Sequence, residues 1–428
     1  MVAPFGALLA AIALAPLFFS RWWGKHFLKV TIALAAIPMI YYLVGLHAPE
    51  RVVQTGFEYV SFICLIGSLF VISGGIHINV KGEATPAANV LFLIIGALVS
   101  NILGTTGASM LLIRPWLRMN KYRLTAHHVI FFIFIVSNVG GSLTPVGDPP
   151  LFLGYLQGVP FWWTVQECWP MWATGLGILL LMFFVVDMRN FLRAPKSIRE
   201  KETRHEDWRF EGLANLFFLA VVLGSVFVKR PPFLREVLMV AAATGSWFTT
   251  RKGVHEANDF NFGPIKEVAI LFAGIFATMM PALDWLQFNA GRLGRPTPGF
   301  FFWGSGALSS VLDNAPTYLS FLSTAFGAFA APDAVAAKLQ CAGVTADNAQ
   351  MAVILGAPLY AKCLKAISIG SVFFGANTYI GNGPNFMVKA IADQQKAHTP
   401  TFLGYIFRFT LPFMLPMLLI VWLLFFRT

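Results

Sequence analysis

Apolar residues in this chain come in runs. They neither alternate with polar residues nor leave one polar face at helical spacing. Runs over about 2–20, 28–46, 56–79, 125–157, 165–187, 213–229, 232–249, 264–286, 351–391 and 401–426 approach or exceed the roughly 20 residues that carry a helix across a bilayer. Each predicts a membrane-spanning helix. Strands of outer-membrane barrels would read as short alternating segments instead. Two further apolar stretches, 86–117 and 298–330, are too long for one simple crossing and have polar centres, SNILGTTGAS and SSVLDNAPT. Each predicts a helical hairpin that enters the membrane and leaves on the same side.

Two of the spans are interrupted. The first, near 125–157, contains SNVGGSLTPVGDPP, and the second, near 351–391, contains GANTYIGNGPN. Unpaired backbone in hydrocarbon costs several kcal/mol per group, so such breaks survive only where protein or a watery cavity supplies partners. Pro145, Pro149 and Pro150 remove donors and obstruct helical bonding, and the glycines allow turns and close approach. The helix-breaking residues are Gly140, Gly141, Gly147, Pro149 and Pro150 in the first span, and Gly375, Gly381, Gly383 and Pro384 in the second. Aligned at one spacing, Gly141, Thr144, Gly147, Pro150 and Phe152 match Gly375, Thr378, Gly381, Pro384 and Phe386, and Asp148 faces Asn382. Three spans, a hairpin and two spans, one of them broken, occur in each half. An odd number of spans per half makes the halves antiparallel, the inverted repeat common in transporters. The expected organisation is a first repeat over 1–187, a basic cytoplasmic loop over 188–211, and a second repeat over 212–428.

Composition strengthens the membrane reading. The 428 residues are 57% hydrophobic and 12% charged, with a mean hydropathy of +0.68; soluble domains carry about 25% charged residues. The net charge of +11 does not point to nucleic acid, because no basic run is interleaved with exposed aromatics. With the amino terminus outside and both hairpins re-entrant, Lys and Arg favour the inner side by about two to one, as the positive-inside rule requires. The first apolar run lacks a charged leader and reads as a span, not a cleaved signal. Four cysteines show neither metal spacing nor a disulfide framework. Trp22-Trp23 and Trp162-Trp163 fit interfacial belts.

Acids at membrane depth are costly and rare, so each is a functional candidate. Asp148 in the first broken helix and Asp313 in the second hairpin rank first, as ligands for a hard cation such as Na+ or for a proton. Protonation and cation binding would compete at one carboxylate. The bland alternative for both is an N-cap on the following half-helix. Ser100, Asn101, Thr105 and Thr106 of the first hairpin are polar candidates around them, with Ser137, Asn138 and Thr144 of the first break. Ser310, Asn314 and Thr317 come from the second hairpin, and Asn377, Thr378 and Asn382 from the second break. Asp187, Lys266, Glu267 and Asp284 are expected at the interfaces. His127 and His128 read as interfacial packing, with pH sensing as the alternative. Lys362 and Lys365 read as snorkelling lysines, with attraction of an anion as the alternative. No phosphate-binding loop, metal-enzyme spacing or nucleophilic triad is present. An intramembrane enzyme therefore lacks a recognisable catalytic set, and no cofactor is expected beyond transported Na+ and H+.

At these motifs the sequence resembles the ion transporter superfamily. SNVGGSLTPVGDPP is similar to the Gly-Asp-Pro-Pro segment of its sodium/proton antiporter and arsenite-transporter branches. GANTYIGNGPN resembles the second-repeat equivalent, and SNILGTTGAS and LDNAPT resemble the hairpins. The resemblance implies an all-α polytopic fold of two inverted five-span repeats and a central site formed by hairpin tips and broken helices. It also implies a homodimer in a bacterial-type inner membrane, with the lipid bilayer and a small cation or organic anion as partners. Citrate and dicarboxylate relatives carry paired Ser-Asn-Thr motifs, from which Ser100-Asn101-Ile102 and Asp313-Asn314-Ala315 depart. The acids in two core motifs make sodium/proton exchange the first expectation, and Na+- or H+-coupled transport of citrate or another organic anion the second.

Overall fold

The computed structural model describes residues 1–79, 85–193, 209–228, 230–294, 296–341, 344–345 and 348–427. Of the basic loop expected over 188–211, residues 194–208 lie outside them. The described residues are overwhelmingly helical. Six helices are long and apolar enough to cross a membrane, or up to eight if each sharply bent pair is one span. The chain is a multi-pass integral membrane protein.

Helices α1 (Ala3–Phe18), α2 (Ser20–Ile40, running into a π-turn at Tyr41–Gly45) and α3 (Pro49–Gly74) come first. Helix α4 (Pro86–Met119) has 34 residues, and if straight would separate its ends by roughly 50 Å at ~1.5 Å per residue. Its ends instead touch. The Asn89 and Asn120 side chains exchange amide hydrogen bonds of 2.8 and 3.1 Å. The reversal is at Gly104, whose φ of 73° lies in the left-handed region that glycine occupies without penalty. The first hairpin is thus present where the polar centre predicted it, although by length alone α4 could cross a membrane.

Next are α5 (Ala126–Ile135), a 3-10 turn at Val139–Gly141, α6 (Pro149–Leu156) and α7 (Phe161–Arg193). The first broken helix is α5 and α6. Pro149 and Pro150 open α6, where a missing N–H leaves no helical bond unmade. After α8 (Asn215–Ser225), α9 (Leu234–Thr249), α10 (Lys252–Ala257) and α11 (Gly263–Asn289) comes the second hairpin, α12 (Pro298–Ser309) and α13 (Asn314–Phe329). Its legs are closed by Phe301 packing on Phe321 and Phe329, with ring centroids 6.4 and 5.9 Å apart. Helix α14 (Pro332–Leu339) then turns 89° from α13. The second broken helix is α15 (Ala349–Leu355), α16 (Pro358–Gly375) and α17 (Gly383–Gln394). It bends by 104° before Pro358, a bend absent from the sequence reading. Helix α18 (Phe402–Phe425) is π-helical over Ile406–Met414. The all-α expectation needs one correction: β1 (His77–Asn79) pairs antiparallel with β2 (Arg209–Glu211).

Burial separates an inner group from an outer panel. Helix α5 is buried from His127 to Ile135 and is apolar nearly all round, as a helix enclosed by others must be. The stretch Cys363–Gly375 of α16 is almost as enclosed. By contrast the apolar windows of α2 and α18 are 17% and 28% buried, leaving surface suited to lipid. Helices α3 and α11 join the panel through Phe62 stacked on Phe272 at 4.7 Å.

Candidate functional site

The two hairpin tips and the two helix breaks meet at one side chain. Asp148 is fully buried and precedes α6, yet its carboxylate makes no capping bond to that helix. It is aimed at the other three elements. Thr105 Oγ1 donates to Oδ1 at 2.6 Å, Asn314 Nδ2 to Oδ2 at 2.6 Å, and Asn382 Nδ2 to Oδ1 at 3.3 Å. These donors come from the first hairpin, the second hairpin and the second break. The cap alternative is therefore wrong for Asp148. It holds for Asp313, whose Oδ1 accepts from Ala315 N at 3.0 Å.

Each donor sits where a half-helix begins. Thr105 follows the reversal in α4, Asn314 opens α13, Asn382 precedes α17, and Asp148 precedes α6. Four helix N-termini thus surround one carboxylate, each worth roughly half a positive charge.

The two halves build their supports alike. Thr144 Oγ1 donates to Asn101 O at 2.6 Å and accepts from Gly147 N at 3.0 Å. Thr378 Oγ1 donates to Ser310 O at 2.7 Å and accepts from Gly381 N at 3.1 Å. Ser100 Oγ reaches Val136 O, and Ser309 Oγ reaches Ser371 O, at 2.7 and 2.6 Å. A Cβ on Gly147 would overlap Gly141 O, and one on Gly381 would lie 2.5 Å from Gly375 O. Both loops need glycine because backbone passes against backbone.

These bonds sort the remaining candidates. Asn101 is a brace: Nδ2 donates to Ala97 O and Gly140 O, and Oδ1 accepts from Leu143 N. Thr317 returns to Asp313 O within its own helix. Ser137 is paired with Ser109 Oγ at 2.7 Å. Asn377 Nδ2 bonds Ser310 Oγ at 2.9 Å, while its Oδ1 and that of Asn314 are buried without a partner. Asn138 joins the breaks. Its Nδ2 donates to Asn385 Oδ1 at 2.7 Å, and its Oδ1 accepts from Asn382 Nδ2 at 3.1 Å. Asn385, absent from the sequence candidates, anchors this link by donating to Gly375 O and Thr378 O. Its signal was present: it is a polar residue just inside an interrupted apolar run.

Thr106, Asp148 and Pro149 line a cavity of about 20 Å³, closed by Leu65, Ile66 and Leu69 of α3 and by Leu103 and Phe152. That is space for one water-sized particle or ion.

Asp187 corrects the sequence reading. It was expected at an interface and is completely buried. Arg123 grips both its oxygens. Asn89 Nδ2 donates to it at 2.9 Å, and His127 and His128 Nε2 lie 3.2 and 3.0 Å from Oδ1. His127, His128 and Asp187 have metal-ligand spacing, but the arrangement does not suit a cation. Arg123 already neutralises the carboxylate. Thr125 N–H donates to His128 Nδ1, which puts the ring proton on Nε2, the atom that would have to bind the metal. The cluster is a clasp joining both ends of α4 to α5 and α7. Lys365 is paired with Glu167 at 2.9 Å and does not reach Asp148.

A helical multi-pass protein whose tips and breaks enclose one carboxylate belongs among membrane transporters, where broken helices place sites at their convergence. Residues 1–426 match the family described as "Putative citrate transport", and the chain belongs to that family. No curated protein matches it. Of the two expectations drawn from the motifs, the family is closer to organic-anion transport than to sodium/proton exchange.

Proposed function

We propose that the chain is a secondary transporter of citrate-type polycarboxylates, coupled to a small hard cation, Na+ or a proton, held at Asp148. Family membership supports the cargo, and the meeting of four half-helix N-termini at Asp148 carries the mechanism. A buried carboxylate repels a second anion strongly in a low-dielectric setting. A cation or proton at Asp148 removes that repulsion and leaves the N-terminal dipoles to attract a substrate carboxylate. Cation binding thereby precedes and permits anion binding. Thr105, Asn314 and Asn382 hold the carboxylate in place, and the unpartnered Oδ1 atoms of Asn314 and Asn377 offer further oxygen ligands.

The matching supports in the two halves favour the inverted-repeat reading, with the hairpins entering from opposite faces of an inner membrane. In this reading each half carries one acid in complementary places: Asp148 before the first half-helix, and Asp313 at the second tip. The 20 Å³ cavity is far smaller than a tricarboxylate, so loading requires the α3 wall at Leu65–Leu69 to separate from the Gly104 tip.

Uptake of radiolabelled citrate into proteoliposomes under imposed Na+ or H+ gradients, with an internal pH dye, tests the assignment. Gradient-dependent citrate accumulation is the expected result. Na+-driven proton exchange that needs no citrate, together with no citrate uptake, would restore the antiporter reading.

A further inference from the structure

A second, larger cavity of about 220 Å³ is lined by helices that also reach the Asp148 site. Its walls include Arg51, Gln54, Thr55 and Glu58 of α3, Gln157 at the end of α6, and Ser323 of α13. Three helices thus run from one site to the other. Helix α3 lines the small cavity at Leu65 and the large one at Glu58, roughly 10 Å apart at ~1.5 Å per residue. Helix α6 begins after Asp148 and ends at Gln157, and α13 begins at Asn314 and passes Ser323. Leu65, in the wall of the small cavity, and Leu319, in the wall of the large one, are both buried.

Its charges favour a cation. Arg51 is committed to Asp284, 3.0 Å away, and Tyr42 donates to the other Asp284 oxygen at 2.5 Å. Elsewhere on the helices, Asp187, Glu236, Glu167 and Asp393 are matched by Arg123, Arg235, Lys365 and Lys389. Glu58 has no ion-pair partner among the described residues. Its Oε1 accepts from Gln157 Nε2 at 3.0 Å. Arg51 faces two carboxylates, Asp284 and Glu58, so the lining carries one net negative charge among amide and hydroxyl groups. Such a cleft concentrates cations, and a polycarboxylate would meet like charge there.

We propose that this cavity is the loading site for the cation that drives transport, with Glu58 as its carboxylate ligand. The inference rests on the ion-coupled reading above. Gln157 ties the loading site to α6, the half-helix that Asp148 precedes, so a cation on Glu58 competes for the oxygen that holds the end of α6.

The test is Glu58→Gln in proteoliposomes, with Na+ varied at fixed pH and pH varied at fixed Na+, reading citrate uptake, 22Na+ flux and an internal pH dye together. The expected result is a rise of about tenfold in the cation concentration for half-maximal transport, in whichever series drives uptake. Glu58→Asp restores the affinity. Unchanged cation dependence in Glu58→Gln, or a lowered citrate KM with cation dependence intact, overturns it. Ion flux that depends on Glu58 without any citrate uptake rejects the cargo and keeps the loading site. Should Glu58→Gln fail to elute as a monodisperse protein, Gln157→Ala gives the second reading: release of the clasp lowers the half-maximal cation concentration, and an unchanged value counts against the proposal.

Discussion

At Asp148 a single residue decides between structure and function. Asp before a helix ordinarily caps it; here the carboxylate leaves its own helix uncapped and takes three donors from three other elements. The glycines beside it are as constrained. Gly147→Ala would force a Cβ into Gly141 O, an overpacking that typically costs about 1–3 kcal/mol. Thermal unfolding in detergent should show a lowered midpoint and loss of transport. Gly177→Ala on α7, with nothing within 4 Å of the new Cβ, should be neutral or slightly stabilising. The sequence made Asp148, Thr105, Asn314 and Asn382 legible because lipid tolerates Gly, Pro and Asp in an apolar run only where something pairs them. It did not make Glu58 stand out, although a lone acid inside an apolar run is the same signal.

Among elements, the hairpins and breaks were readable from polar centres in overlong apolar runs. The clasp at Asp187 was not. Position in the chain puts Asp187 beside a charged loop, and only its meeting with Arg123, 64 positions away, reveals its depth. Truncating one member of such a buried pair costs about 3–5 kcal/mol because the partner is left charged and dry. Asp187→Asn should lower the thermal midpoint sharply. Asp187→Asn with Arg123→Met should recover much of the loss, since the double change leaves no buried charge. Equal losses in the single and double variants would show that the charge pair is not what joins α4, α5 and α7.

At the scale of the molecule, the fold divides into an enclosed group around α5 and α16 and a panel built on α3 and α11. The small cavity at Asp148 and the large one at Glu58 both lie where the panel meets the hairpins. In the proposed mechanism transport is a movement of tips and breaks past α3, driven by cation occupancy and completed by the anion. Cargo was the least legible property in the sequence. The motif acids pointed to cations, whereas family membership points to citrate; a cation-coupled anion transporter accommodates both.

The central claim is that the charge on Asp148 governs anion binding, and calorimetric titration of citrate into purified protein tests it directly. Wild type should bind citrate only with Na+ or at lowered pH. Asp148→Asn should bind it without either, because the neutral amide already mimics the occupied carboxylate. Equal cation dependence in the two proteins would contradict the account.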